Sequence, residues 1–185
     1  MAGGVKGALL FGLQGGDTDE MKYRVIDKQH NSLNCVVCGL KNEFGLKAAF
    51  YNLENGDVAA LFTARQEHQS YPGRLHGGMA AAILDEVIGR AMMARDKGAW
   101  GVTVELSLRY KKPVPLGEKL RAVGRVIKDS RLLFEGAGEI LLENGEVAVS
   151  AVGKYMKMPI DKITDFDGLG WQVVQDRDDP REVEI

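Results

Sequence analysis

The sequence feature that most constrains the fold is residues 71–95, where a glycine-rich turn leads into the most apolar helical pattern of the chain. Pro72 and Gly73 predict a turn. Beyond them, apolar side chains occur on nearly all sides of a helix and not along a single stripe. A helix of that kind is buried, so the rest of the chain must supply a layer that covers it.

The start of this helix is suited to binding negative charge. Gly77 and Gly78 allow a ligand to approach the backbone closely, because glycine has no Cβ atom. The first amides of a helix have no partner within the helix and lie at the positive end of its dipole. An oxyanion or a polarised carbonyl would therefore be stabilised here.

Two carboxylates interrupt the apolar helix. Glu86 lies one turn before Arg90, which predicts an ordinary ion pair on the edge of the helix that meets solvent. Asp85 has no such partner on the helix, and small residues lie one turn away from it. A lone aspartate in mid-helix is more often structural than catalytic, so both interpretations of Asp85 remain open.

The segments on either side of the helix are predicted to be strands. Asn55-Gly56 and Asn144-Gly145 each separate two apolar runs and predict tight hairpin turns. Within residues 103–110 the pattern alternates strictly, which places Val104, Leu106, Leu108 and Tyr110 on one face, and Thr103, Glu105, Ser107 and Arg109 on the other. The predicted strands are residues 46–52, 58–64, 103–110, 120–128, 132–142 and 146–158.

This order of elements predicts the fold class. A doubly wound α/β domain would need a helix after each strand, and the pattern here has two strands, one helix and four hairpin-linked strands. The sequence therefore predicts an α+β fold in which an antiparallel sheet wraps around one long central helix.

The length of 185 residues corresponds to one ordinary domain with extensions. We expect a weakly structured leader at residues 1–33, with a weak helical pattern at 19–29, and a main domain at residues 34–158. The tail, residues 159–185, carries eight acidic and three basic residues and is expected to be solvated, with Trp171 as its one indication of docking.

Composition excludes some classes of partner. The formal net charge is −2 and 27% of residues are charged, which gives no indication of nucleic-acid binding or of a basic membrane anchor. The apolar run at residues 8–13 is too short for a signal peptide core, and no run approaches the length of a membrane span. We therefore expect a cytoplasmic protein with no membrane partner.

The two cysteines, Cys35 and Cys38, form a CVVCG turn that is open to three interpretations. A zinc site would need two more ligands, and the three histidines do not have suitable spacing. A redox pair usually begins a helix, whereas a turn and a strand are predicted to follow here. We favour a structural role, with no bound metal.

Three motifs together resemble the hotdog-fold acyl-CoA thioesterases. They are CVVCGLKNEFGL, YPGRLHGGMAAAILDEVIGRA and TVELSLRYKKPVPLGEKL, and the similarity covers about residues 33–158. The branch is the one typified by the phenylacetate-pathway enzymes, within the 4-hydroxybenzoyl-CoA thioesterase superfamily. The resemblance implies hydrolysis of an acyl-CoA to free acid and CoA, with no metal or cofactor. It also implies a homodimer with sheets paired edge to edge, or a dimer of dimers.

The resemblance also implies roles for individual residues. The oxyanion donor of the family falls on Gly77, and its nucleophile or general base falls on Asp85. His76 matches the histidine of the motif, although we favour a structural hydrogen bond for it, and Thr103 matches a hydroxyl that in some members holds the attacking water. Where some members have Asn or Gln this chain has Ser70, so Gln69 or a water would have to substitute. The substrate-binding candidates are Gly78, Met79, Ile83, Lys111 and Lys112.

Helix geometry constrains where such a site can be. Gly77 and Asp85 are eight residues apart, or about 12 Å along a helix, so they cannot both lie about 3 Å from one carbonyl. Either only one of them acts, or the two come from different subunits across a twofold axis, as in this family. The alternative function is an acyl-CoA-binding sensor module that holds its ligand without cleaving it. A sensor usually has a DNA-binding segment, and the first 33 residues show no helix-turn-helix pattern.

Overall fold

The computed structural model describes residues 21–165 and 170–185. Most of the predicted leader, including the apolar run at 8–13, lies outside these residues. The described elements in chain order are β1 (Lys22–Lys28), β2 (Asn31–Ser32), β3 (Ala49–Leu53), β4 (Val58–Thr63), α1 (Gly77–Arg95), β5 (Trp100–Tyr110), β6 (Lys119–Asp129), β7 (Leu133–Leu141), β8 (Val147–Met158), β9 (Trp171–Gln172) and β10 (Glu182–Glu184).

Eight of the strands form one antiparallel sheet in the order β10-β1-β3-β4-β6-β7-β8-β5. The helix α1 packs on this sheet, and β2 and β9 form a separate small sheet. The predicted α+β arrangement, with one long helix against an antiparallel sheet, is confirmed, and it is the arrangement expected for the hotdog fold. No helix in the described ranges is both long enough and apolar enough to cross a membrane.

Glycines on the sheet allow α1 to lie directly against it. A Cβ atom at Gly124 would come within 2.4 Å of the carbonyl oxygen of Val87, and one at Gly136 within 2.4 Å of the Ile88 side chain. Neither separation is possible between real atoms, so these strands need glycine where the helix crosses them. Val87 and Ile88 are fully buried, as predicted for a helix that is apolar on nearly all sides.

The two predicted hairpin turns are present. Gly56 has φ of 86° and Gly145 has φ of 78°, in the left-handed region where glycine is favoured. They connect β3 to β4 and β7 to β8, as the Asn-Gly pairs predicted.

The strict alternation predicted for residues 103–110 is wrong at its start, because β5 contains a bulge. The pairing of β5 with β8 shifts between Thr103 and Glu105, so Val104 is an extra residue and is exposed. Beyond the bulge, Leu106 packs against the core, and before it Thr103 also points toward α1. A bulge moves the following side chains to the other face of a strand, and it commonly directs a side chain near a functional site.

The helical pattern expected at residues 19–29 is wrong within the described part of the chain. Residues Lys22–Lys28 form β1, which pairs with β3 on one side and β10 on the other. Strand pairing on both sides provides more backbone hydrogen bonds than an isolated short helix would, so tertiary context overrides the weak local pattern.

The acidic tail is docked where it is described. Trp171 lies in β9, and its ring stacks on His30 at a centroid distance of 4.3 Å, so the predicted docking of this tryptophan is confirmed. The expectation of a solvated tail is wrong for part of residues 170–185, whereas residues 172–178 are exposed as expected. Asp179 accepts hydrogen bonds from Lys28 and from the hydroxyl of Tyr51, and β10 extends the main sheet.

Candidate active site

The helix start is capped by His76. Its Nδ1 atom accepts a hydrogen bond from the amide of Gly78 at 2.9 Å, which is the structural role favoured for this residue. The described residues supply no acceptor for the amide of Gly77, the first residue of α1. The cap thus occupies the amide of Gly78 and not that of Gly77.

The loop before the helix is fixed by its own hydrogen bonds. The side-chain oxygen of Gln69 accepts from the amide of Gly73 at 2.9 Å, and the amide of Leu75 donates to Val114. Gln69 therefore has a structural role, which weakens the hypothesis that it substitutes for the family's Asn or Gln. Ser70 is exposed in the same loop, next to Tyr71.

The carboxylate of Asp85 is held by two hydroxyl groups from the sheet. Thr103 donates to its Oδ1 atom at 2.8 Å, and Tyr155 donates to the same atom at 3.1 Å. Asp85 itself is partly buried in the middle of α1. Because both donors bond to Oδ1, the carboxylate has a fixed orientation, and no residue in the described part of the chain donates to Oδ2.

The positions of the two donors follow from strand pairing. Thr103 on β5 is the direct cross-strand partner of Tyr155 on β8, so their side chains lie side by side under the helix. A Cβ atom at Gly153 would lie 2.5 Å from the Tyr155 ring, so glycine at this position makes room for the ring. On its other side the ring stacks on Phe134 with centroids 4.8 Å apart.

Burial keeps Tyr155 in the donor form. The side chain is 1% exposed, and this burial, followed by the nearby charge of Asp85, raises the pKa of its phenol above the usual range. A phenol that stays protonated continues to donate its hydrogen bond to Asp85. Sequence reasoning missed Tyr155, because no spacing connects it to Asp85. The available signal was a tyrosine within an otherwise apolar strand, since a buried hydroxyl requires a partner.

The Glu86–Arg90 ion pair is present, but its predicted place on a solvent-exposed edge is wrong. Arg90 Nε donates to Glu86 at 2.8 Å, yet Arg90 is only 5% exposed. Its remaining donors reach Gln29, the His30 carbonyl and the sulfur of Cys38, and its guanidinium lies over the ring of Phe50. Because the side chain is buried and all three of its nitrogen atoms donate hydrogen bonds, Arg90 is part of the core.

The substrate-binding candidates differ in their surroundings. Ile83 is fully buried, and Met79 is partly buried and packs against the core. Lys112 forms an ion pair with Glu146, whereas Lys111 is exposed. A contact missed from the sequence is the hydroxyl of Tyr110, which donates to the carbonyl of Gly77 at 2.8 Å and so connects β5 to the helix start.

Gly77 and Asp85 lie on one continuous helix, with Gly77 at its first position and Asp85 eight residues later. At 1.5 Å per residue this separation is about 12 Å. The two groups of one chain therefore cannot act on the same carbonyl. Asp85 lies next to β5, the end strand of the main sheet as described, whose outer edge carries no partner strand there.

Comparison with known proteins shows that part of the chain is similar to one family. Residues 72–149 match the model of the thioesterase superfamily. This range contains Gly77, Gly78, Asp85 and Thr103. Human acyl-coenzyme A thioesterase 13 is 32% identical over 78 residues, which are 42% of this chain and 56% of that protein. The chain thus spans about half the length of the curated relatives it matches.

Two solved structures have a similar fold. A thioesterase superfamily protein of 34% identity superposes with a TM-score of 0.61, covering 66% of this chain and 59% of that one. The PaaI protein of the phenylacetic acid degradation operon of Escherichia coli is 17% identical, with a TM-score of 0.56, over 61% of this chain and 80% of that one. The resemblance seen in the sequence motifs is confirmed.

Proposed function

With residues 72–149 matching the thioesterase superfamily, we propose that this chain hydrolyses an acyl-CoA thioester to a free acid and CoA. The acyl-CoA specificity is inferred from the name of the relative, acyl-coenzyme A thioesterase 13. The reaction would use groups of the protein alone.

The observation that supports this proposal is that two hydroxyl groups orient the carboxylate of Asp85. A carboxylate with only a structural role would not need to lie beside the end strand of the sheet while no described residue donates a hydrogen bond to its Oδ2 atom. Two donors on Oδ1 hold Oδ2 in a defined direction, which is what a nucleophile or a general base requires.

The chemistry has two forms that use the same geometry. Asp85 attacks the thioester carbonyl directly, or it accepts a proton from the water that does so. In the second form the water can also donate to the Thr103 hydroxyl, since a hydroxyl that donates to Asp85 still has lone pairs. In both forms the carbonyl oxygen becomes negative and accepts a hydrogen bond from a Gly77 amide. In the direct form CoA leaves as the thiolate, and water then hydrolyses the mixed anhydride on Asp85, which releases the acid and a proton for the thiolate. In the second form the proton that Asp85 takes from the water passes to the leaving CoA thiolate.

Both groups reach one carbonyl only if two chains combine. We place the Gly77 amide of one chain opposite Asp85 of its partner in a homodimer that pairs along β5, with a dimer of dimers as a larger form. The edge of β5 supports this placement, because it is 11 residues long and carries exposed Val104 and Tyr110. A long open edge with apolar side chains is suited to pairing with another strand.

The other predicted residues take supporting roles in this proposal. His76 positions the helix start through its cap, and Ser70 lies in the loop before it. Gly78 and Met79 line the approach to the carbonyl, and exposed Lys111 is the better candidate for a CoA phosphate because Lys112 is paired with Glu146. Ile83 would act only through the shape of the core.

The test is hydrolysis of a panel of acyl-CoAs, with CoA and acid measured by chromatography, since Cys35 would react with thiol reagents. Asp85→Asn keeps the shape of the side chain but loses the base and nucleophile, so kcat is expected to fall at least a hundredfold. Asp178→Asn makes the same chemical change at an exposed site in the tail and should have full activity.

The sensor alternative predicts a different result. A chain that binds acyl-CoA in calorimetry but cleaves none of the panel would be a binding module. Retention of near wild-type kcat by Asp85→Asn would instead show that another group carries the reaction.

A further inference from the structure

The CVVCG turn lies against Glu86 and Arg90 of α1, and it forms a compact side-chain cluster with them. Cys35 is partly exposed and Cys38 is 1% exposed. The two sulfur atoms and a carboxylate oxygen of Glu86 all lie within 4.8 Å of one another. The proposed thioesterase chemistry uses none of these atoms.

The backbone of the turn suits a disulfide. The amide of Gly39 donates to the carbonyl of Cys35 at 2.9 Å, which closes a turn around both cysteines. Residues three apart in such a turn have Cα atoms within about 7 Å, and a disulfide spans about 4.4 to 6.8 Å. With the sulfurs already near each other, bond formation needs side-chain rotation and little movement of the backbone.

The two sulfurs have unequal surroundings. A hydrogen bond from the Cys38 thiol lowers the pKa of Cys35 to about 6, against opposing effects of burial and of Glu86. The same hydrogen bond, together with burial, raises the pKa of Cys38 above its usual range, although Arg90 acts in the opposite direction. Cys35 is therefore the more acidic and the more accessible of the two thiols, and Cys38 is buried behind it.

Arg90 argues against a metal at this cluster. Its guanidinium donates to Glu86 at 2.8 Å and to the sulfur of Cys38 at 3.4 Å, so a fixed positive charge already occupies the position that a cation would need. Three side chains are also fewer than the four ligands of a structural zinc site. The arrangement favours thiol chemistry over metal binding.

We propose that Cys35 and Cys38 form a redox-active dithiol that is oxidised reversibly to an intramolecular disulfide by low-molecular-weight disulfides of the glutathione type. This assignment replaces the purely structural role that the sequence favoured. It extends the protein beyond ester hydrolysis, and it does not depend on the proposed hydrolytic function.

The reaction takes place in two exchanges. The Cys35 thiolate attacks one sulfur of the small disulfide, forming a mixed disulfide and releasing one small thiolate. Cys38 then loses its proton and attacks the Cys35 sulfur, which forms the internal disulfide and releases the second small thiolate. The two protein sulfurs lose two electrons in total, the small disulfide gains them, and the Cys38 proton passes to one of the released thiolates.

The experiment uses the whole reduced chain, incubated with oxidised glutathione near pH 7 and then measured by intact mass. The wild type should lose two hydrogens and both free thiols, without a lasting glutathione adduct, and dithiothreitol should restore it. Cys38→Ser should stop at a stable adduct of one glutathione on Cys35. Cys35→Ser should remain unmodified over the same time, because its remaining thiol is buried.

Three outcomes would overturn the proposal. They are a wild type that keeps both thiols, a Cys35→Ser variant that reacts as fast as Cys38→Ser, and reduced protein that is purified with one zinc per chain. If a serine variant does not fold, rapid alkylation of the wild type followed by peptide mapping gives the same distinction. Cys35 should be labelled well before Cys38, and equal labelling would contradict the assignment.

Discussion

The phenol oxygen of Tyr155 lies 3.1 Å from the Oδ1 atom of Asp85, so two residues 70 positions apart in the chain share one hydrogen bond. Thr103, the cross-strand neighbour of Tyr155, bonds to the same oxygen. The orientation of the Asp85 carboxylate thus depends on the register of β5 against β8. A shift of that register by one residue would remove both donors.

Replacing Tyr155 by Phe is expected to lower kcat while the fold remains intact. The ring can still stack on Phe134, but the carboxylate loses one of its two donors. A hydrogen bond to a charged group contributes about 1.5 to 3 kcal/mol, so a decrease of at least tenfold is expected. Steady-state kinetics on the best acyl-CoA measures it.

Tyr51→Phe is the matched control for this change. Tyr51 also donates to a carboxylate, that of Asp179, but it lies on β3 and contacts the tail. Its loss should affect stability and leave kcat unchanged. Equal effects of the two substitutions on kcat would rule out a specific role for Tyr155.

Thr103 can be tested with a pair of substitutions. Thr103→Val keeps the branched shape that suits a strand but cannot donate to Asp85, and kcat is expected to fall about tenfold or more. Thr103→Ser keeps the hydroxyl and should retain most of the activity. If Val and Ser variants have the same kcat, the hydroxyl of Thr103 does not orient the carboxylate.

Local patterns were sufficient to predict the central elements. The helix was predicted from the apolar residues at 79–92, and the hairpins from Asn55-Gly56 and Asn144-Gly145, because these signals depend on neighbouring residues alone. The bulge at Val104 could not be predicted in this way. It depends on how β5 pairs with β8, which lies more than 40 residues further along the chain.

Only the part of the site that lies close together in the sequence could be predicted. Family motifs indicated Gly77, Asp85 and Thr103, all within 27 positions of one another. Tyr155 and the partners of Arg90 come from distant segments, so no sequence spacing reports them. The contact of Asp179 with Lys28 was missed for the same reason, since the two residues are 151 positions apart in the chain.

The stability of the chain is expected to fall as the pH decreases from about 6.5 to about 4, in part because of His30. Burial, followed by the charge of Arg90, lowers the pKa of His30 from 6.5 to about 4. Between these values the unfolded chain binds a proton at His30 that the folded chain does not bind, so the free energy of unfolding decreases with decreasing pH. Urea unfolding at several pH values measures this dependence.

His30→Phe should weaken that dependence. Phenylalanine can stack on Trp171 as the imidazole does, but it cannot be protonated. The variant should therefore lose less stability than the wild type between pH 6.5 and pH 4, while both unfold similarly at pH 7.5. Parallel pH profiles of the two proteins would mean that His30 is protonated equally in the folded and unfolded states.

Mixing two inactive variants tests whether the site is shared between chains. Asp85→Asn removes the carboxylate, and Gly77→Pro removes the amide hydrogen of the proposed oxyanion donor. Proline is tolerated at the first position of a helix, which Gly77 occupies. The preceding His76 has φ −63° and ψ 134°, the extended conformation that a following proline requires. Gly77→Pro is therefore expected to fold.

Gly77→Ala is the matched control, because it keeps the amide hydrogen and its Cβ would make ordinary contacts of 3.4 to 3.5 Å with the Tyr110 ring. It should keep part of the activity, because its Cβ narrows the approach to the backbone but the amide hydrogen remains, whereas Gly77→Pro should keep none. After random exchange of the Asp85→Asn and Gly77→Pro chains, about half of the dimers are mixed, and each mixed dimer has one intact and one doubly broken site. About a quarter of the wild-type activity should therefore return. If native mass spectrometry shows mixed dimers but no activity returns, each site is built within a single chain, and Gly77 and Asp85 do not act on the same carbonyl.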